Sequence, residues 1–168
     1  MPERIILIGM MGAGKTTVGR LLARRRGWSY VDSDAQIVDR TGRTVREIFE
    51  ADGEAAFRRL ESEVLRDAFD GDGRVVVSVA GGAVLDLENR RMIREGGAIV
   101  WLRAPVEVLA SRVTSGDHRP LLQDDPEETL RRLYAEREPL YQELADVTVD
   151  VSSATPDAIV DQIEAALA

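Results

Sequence analysis

Eight consecutive residues, Gly9-Met10-Met11-Gly12-Ala13-Gly14-Lys15-Thr16, set glycines, a lysine and a threonine in the order that phosphate chemistry requires. Glycine permits backbone angles that turn successive N–H groups toward phosphate oxygens, and a helix starting beside the loop adds a dipole favourable to anions. A lysine at this point reaches the β- and γ-phosphates of a nucleoside triphosphate, and the hydroxyl after it is a Mg²⁺ ligand. Gly12, Ala13, Gly14, Lys15, Thr16 and Thr17 are therefore the expected nucleotide-binding residues. Of the 22 basic Lys and Arg residues only Lys15 is lysine. A bias toward arginine codons explains the arginines, but not why the one lysine stands here.

Asp32-Ser33-Asp34 is the second candidate. Two carboxylates one residue apart at the end of a strand suit a Mg²⁺ ion held through water and an acceptor hydroxyl that must be oriented or deprotonated. The same residues would cap the helix that follows, and both readings hold together if Ser33 caps while Asp34 points at substrate. Arg58 and Arg59, in Phe57-Arg58-Arg59-Leu60-Glu61, read by residue type alone as a solvated face. An Arg58–Glu61 pair there is worth a few tenths of a kcal/mol. Arg137 and Arg119 carry the same plain reading, and His118, the only histidine, sits incidentally on a loop.

The elements that must position these residues alternate. Apolar runs at Arg4–Ile8, Trp28–Val31, Arg74–Val79, Ala98–Leu102 and Val147–Val151 read as buried strands. Helical patterns occupy Lys15–Arg26, Ala35–Arg40, Val45–Ala51, Glu54–Phe69, Glu88–Glu95, Pro105–Val113 and Pro126–Leu144. A last helix starts from Thr155 as cap with Pro156 in its first position. Continuous apolar strands separated by helices imply an α/β fold of three layers, α/β/α, around a five-stranded parallel sheet. With no repeat or linker, residues 1–168 form one domain. Gly116 to Asp125, rich in Gly, Pro and charge, reads as a lid of about residues 114–125 over a ligand site. Such sheets bind ligands at the carboxyl ends of their strands, which is where both motifs fall.

The absence of cysteine removes disulfide scaffolds, thiolate metal sites and thiol nucleophiles, and a chain of 168 residues can fold without them. A formal charge of −8 disfavours nucleic acid as a partner. Ile5–Ile8 is too short a run for a signal-peptide core or a membrane span, so a cytoplasmic location is expected, with no membrane partner. A regulatory GTPase would need Asn-Lys-x-Asp, which a chain with one lysine in its phosphate loop lacks. Asp70-Gly71-Asp72-Gly73 precedes a strand and reads as a turn. A motor-type ATPase would end a strand in an acid, whereas Val75-Val76-Val77 ends in Ser78. A small kinase fits the length better.

Taken together, the segments resemble the shikimate kinases over nearly the whole chain. The resemblance rests on Gly9–Thr16, Asp32-Ser33-Asp34, Gly53-Glu54 with Phe57-Arg58 and Glu61, Ala80-Gly81-Gly82-Ala83-Val84, Arg119-Pro120-Leu121-Leu122, and Arg137 with Pro139-Leu140-Tyr141. It implies a P-loop kinase fold with a lid loop, ATP as phosphoryl donor, one Mg²⁺ ion, and transfer to the 3-hydroxyl of shikimate in aromatic amino-acid (chorismate) biosynthesis. It implies that Lys15, Asp34 and Arg119 carry catalysis, Arg119 from the lid. Arg58 and Arg137 would hold the acceptor carboxylate, beside Asp34, Gly81 and Gly82, within a helical segment of about 33–61 and its neighbours. Thr16 would bind the metal directly and Asp32 through water, while Arg112 and the loop at Pro156 would flank adenine. A monomer is expected. The family usually has three glycines where this chain has Ala80-Gly81-Gly82, a harmless change if position 80 keeps ordinary backbone angles. A related small-molecule kinase such as gluconate kinase shares the loop but not this placement of arginines, and a non-catalytic ATP-binding switch would need neither Asp34 nor Arg119.

Overall fold

The computed structural model describes residues 2–113 and 125–168. Its centre is set by runs such as Ile5-Ile6-Leu7-Ile8 and Val75-Val76-Val77, which offer no polar face to water and are essentially inaccessible. They lie in β1 (Arg4–Ile8) and β3 (Val75–Ser78), joined in one parallel sheet by β2 (Ser29–Asp32), β4 (Ala98–Arg103) and β5 (Val147–Asp150). The strand order is β2-β3-β1-β4-β5. The order therefore turns on β1, whose neighbours are β3 and β4, and the chain leaves this switch point directly into Gly9. Pairing aligns Asp32 and Leu7 on either side of Ser78, so the carboxyl ends of three strands finish level beside the glycine loop.

Helices cover both faces. α1 (Lys15–Arg26) packs on β3 and against α8 (Pro156–Leu167), where Arg25 meets Asp157 and Asp161 at 2.6 Å. On the other side lie α4 (Glu54–Asp70), α5 (Leu87–Gly96) and α7 (Pro126–Leu144), with α6 (Val106–Val113) against α7. The short helices α2 (Ser33–Thr41) and α3 (Val45–Asp52) pack on α4 around Ile37, Ile48, Phe57 and Val64. This small cluster is separate from the main core, so the segment after β2 carries its own apolar support.

Element ends agree with the sequence reading to within a residue or two, with two informative exceptions. α2 begins at Ser33 rather than Ala35, because the Asp32 carboxylate accepts the Ala35 N–H and is itself the cap. Ser33 does not cap; its hydroxyl accepts the Ala80 N–H at 2.9 Å instead. The second exception is a 3₁₀ turn at Ala83–Leu85, held by Asn89 Nδ2 on the Ala83 carbonyl and Arg90 Nη1 on that of Val84. The lid at about 114–125, with Arg119, falls outside the described residues save for Asp125, which caps α7.

Candidate active site

The phosphate loop is built as its glycines require. Gly14 has φ +92°, a left-handed angle costly for any other residue, and α1 starts there without a capping side chain or an acid in its first turn. Lys15 Nζ folds across the loop onto the carbonyls of Gly9 (2.7 Å) and Met10 (3.0 Å). A cleft of about 360 Å³ opens over it, lined among others by Gly12, Gly14, Thr16, Thr17, Asp32 and Asp34. Ala13 lies beneath rather than in the cleft, buried and with its N–H on the Met10 carbonyl. Arg112 bridges the carbonyls of Gly12 (3.2 Å) and Val151 (2.8 Å), tying the loop to the chain that leads from β5 to exposed Pro156.

Thr16 Oγ1 donates to Asp32 Oδ2 at 2.9 Å, which leaves the hydroxyl oxygen's lone pairs for a cation. Among the described residues no cluster of three His, Cys, Asp or Glu groups could hold a metal. One hydroxyl and one carboxylate suit Mg²⁺, which keeps most of its water and takes phosphate oxygens as its other ligands. The donor set fits.

A second pocket opens beside the cleft and shares Met11, Asp34, Ala80 and Gly81 with it. Its floor is apolar, formed by Val45, Phe49 and Phe57, and its far wall is cationic. A Cβ built on Gly82 would lie 2.6 Å from Arg58 Nη1 and 3.0 Å from Arg137 Nη2, so both guanidinium groups converge on one point. Arg137 comes from α7, four residues before Tyr141 on the same buried face. The Tyr141 hydroxyl donates to the Gly81 carbonyl at 2.6 Å, and burial pushes its pKa upward. Arg137 is 2% exposed, and its Nε has no hydrogen-bond partner among the described residues. Ala80, held by Ser33, has no left-handed backbone angle, so the departure from three glycines leaves the wall undistorted.

Sequence reasoning treated Arg58–Glu61 as a surface pair. The structure corrects this: Glu61 is fully inaccessible, its two carboxylate oxygens 3.0 and 3.2 Å from Arg58 Nη1. Burial raises its pKa to about 7, against the opposing pull of Arg58 and Arg137. The apolar floor was also missed, because Phe49 and Phe57 reach one another only when α3 folds onto α4, their rings 4.9 Å apart. Tyr30 and Ser78 were not singled out for the site either, yet Ser78 lines the cleft and the Tyr30 hydroxyl donates to it at 2.8 Å.

A parallel sheet with its phosphate loop at the switch point, and a second pocket walled against the phosphate cleft, defines the class of P-loop small-molecule kinases. Within that class the chain belongs to the shikimate kinase family, whose sequence profile matches residues 11–168. It is 46% identical over 164 residues to a shikimate kinase of Aromatoleum aromaticum, covering 97% of this chain and 93% of that one. It superposes with a TM-score of 0.94 on a shikimate kinase from Acinetobacter baumannii in complex with shikimate, at 39% identity, covering 98% and 92% of the two chains. A gluconokinase from Sinorhizobium meliloti, at 24% identity and a TM-score of 0.65 over 98% and 90%, shares the fold.

Proposed function

We propose that this protein transfers the γ-phosphoryl group of ATP to the 3-hydroxyl of shikimate, a step of aromatic amino-acid biosynthesis. The observation that carries the reading is the pair of guanidinium groups converging over Gly82, with Glu61 as their buried counter-charge. Two guanidinium groups on one wall of the pocket suit an acceptor that brings a carboxylate of its own. The planar fork of each arginine suits that group, and the apolar floor suits a carbocyclic ring.

Asp34 lines both pockets, so it stands where an acceptor hydroxyl would meet the γ-phosphate. In the transfer the hydroxyl oxygen bonds to phosphorus, the bond to the β-phosphate oxygen breaks, ADP leaves, and Asp34 takes up or orients the departing proton. Lys15 and the loop N–H groups hold the phosphates; Gly81 and Gly82 bring backbone to the acceptor; Arg112 and Pro156 flank the base. Thr16 and, through water, Asp32 would hold Mg²⁺, which neutralises charge between the β- and γ-phosphates when bound. Arg119 adds a second cation from a lid of about 114–125, in a single domain of residues 1–168 whose acceptor segment is about 33–61. The enzyme works as a cytoplasmic monomer, without nucleic acid. No described helix is long and apolar enough to cross a membrane. A coupled ADP-release assay with shikimate, gluconate and nucleoside monophosphates tests the reading: only shikimate should support turnover. Turnover with gluconate alone would move the protein to the neighbouring kinase class, and none with any acceptor would leave a binding module.

A further inference from the structure

Asp32 is held from three directions. Its Oδ1 caps α2 through Ala35, and its Oδ2 receives Thr16 Oγ1 at 2.9 Å and lies 3.3 Å from the Tyr30 hydroxyl. That hydroxyl also donates to Ser78 Oγ at 2.8 Å, and Ser78 donates to the Lys15 carbonyl at 3.1 Å. Tyr30, Ser78 and Asp32 thus join the ends of β2 and β3 to the first residue of α1. The helix has made room for this: a Cβ on Gly19 would meet Tyr30 Cε1 at 2.5 Å and Ser78 Oγ at 2.9 Å.

We propose that the Tyr30 hydroxyl is a positioning group for the metal side of the site, fixing the Asp32 carboxylate beside Thr16. The inference rests on the reading of Thr16 and Asp32 as the metal-side residues. An aromatic ring alone would fill the space against Gly19, so the hydroxyl's work is directional rather than volumetric. Tyr30 donates to Ser78 Oγ at 2.8 Å and shares the same proton with Asp32 Oδ2 at 3.3 Å, so Ser78 anchors the hydroxyl where it meets the carboxylate. Outer groups of this kind orient the ligand they bond, and losing one weakens metal binding.

The test measures Mn²⁺ binding to the ADP complex by electron paramagnetic resonance, with ADP affinity in the absence of metal measured alongside. Tyr30→Phe should weaken Mn²⁺ about tenfold while metal-free ADP affinity stays within about twofold. Ser78→Ala, which loosens the tyrosine from the other side, should shift Mn²⁺ in the same direction by less. Unchanged Mn²⁺ affinity in Tyr30→Phe would overturn the proposal, as would an equal loss of metal-free ADP binding, which would make the hydroxyl a support for the phosphate loop. If Tyr30→Phe does not fold, unchanged Mn²⁺ affinity in Ser78→Ala overturns it. Asp32→Asn separates the two levels: if it leaves Mn²⁺ untouched, the metal-side reading itself fails.

Discussion

Gly82→Ala tests the acceptor wall with a single methyl group. Gly82 has φ −86° and ψ −7°, angles alanine adopts freely, so the backbone has no reason to object. Replacing glycine there even removes freedom from the unfolded chain, worth about 0.4–1 kcal/mol in favour of folding. The new Cβ, however, would stand 2.6 and 2.7 Å from the Arg58 terminal nitrogens and 3.0 Å from Arg137 Nη2. Ordinary contact begins at 3.4 Å, so Arg58 must retreat by about 0.8 Å and Arg137 by about half of that. Losing alignment in one charge-assisted hydrogen bond to a carboxylate costs about 1.5–3 kcal/mol, or roughly 10- to 100-fold in shikimate affinity. Calorimetric titration should find that loss with ADP affinity within about twofold and a melting temperature close to wild type. A folded variant that binds shikimate as tightly as wild type would refute the argument that these guanidinium groups hold the acceptor.

Three further expectations follow from the same geometry. Lys15→Met should keep the fold and lower kcat by 100-fold or more, about 3 kcal/mol of transition-state charge; over a tenth of wild-type kcat would remove the loop from its role as donor site. Glu61 has a folded pKa raised from 4.5 to about 7, so its contribution to stability is complete below about pH 4.5 and is lost as pH rises through 7. Melting temperatures across that window should therefore fall less with pH in Glu61→Gln than in wild type, and parallel curves would show that Glu61 is not the group responsible. Arg119→Ala should lower kcat strongly while shikimate binding without nucleotide stays unchanged, which single-turnover kinetics and titration together decide.

What the sequence made legible follows the range of the interactions. The phosphate loop and Thr155-Pro156 were readable because their function is local: a few consecutive residues hold the whole geometry. Strands were readable from unbroken apolar runs, but their order was not, since β1 pairs with β3 and β4 through contacts 71 and 93 residues apart in sequence. Ser33 illustrates the limit. By residue type it is a helix cap, yet adjacent Asp32 takes that bond and frees Ser33 for Ala80, 47 residues away. Arg58 and Arg137 were named only through family resemblance, because nothing in either helix says that the two meet over Gly82. Glu61 read as a surface partner because spacing along a helix reveals its neighbour and not its burial.

In the proposed reaction one phosphoryl group passes from ATP to one ring hydroxyl under the control of Asp34. Phosphorus–proton correlation NMR of the product, formed by wild type and by Asp34→Asn, tests it directly. Wild type should form a phosphomonoester whose phosphorus couples to the ring proton at carbon 3, and Asp34→Asn should be slower by at least about 100-fold. A phosphomonoester at another position, or wild-type rates in Asp34→Asn, would contradict it.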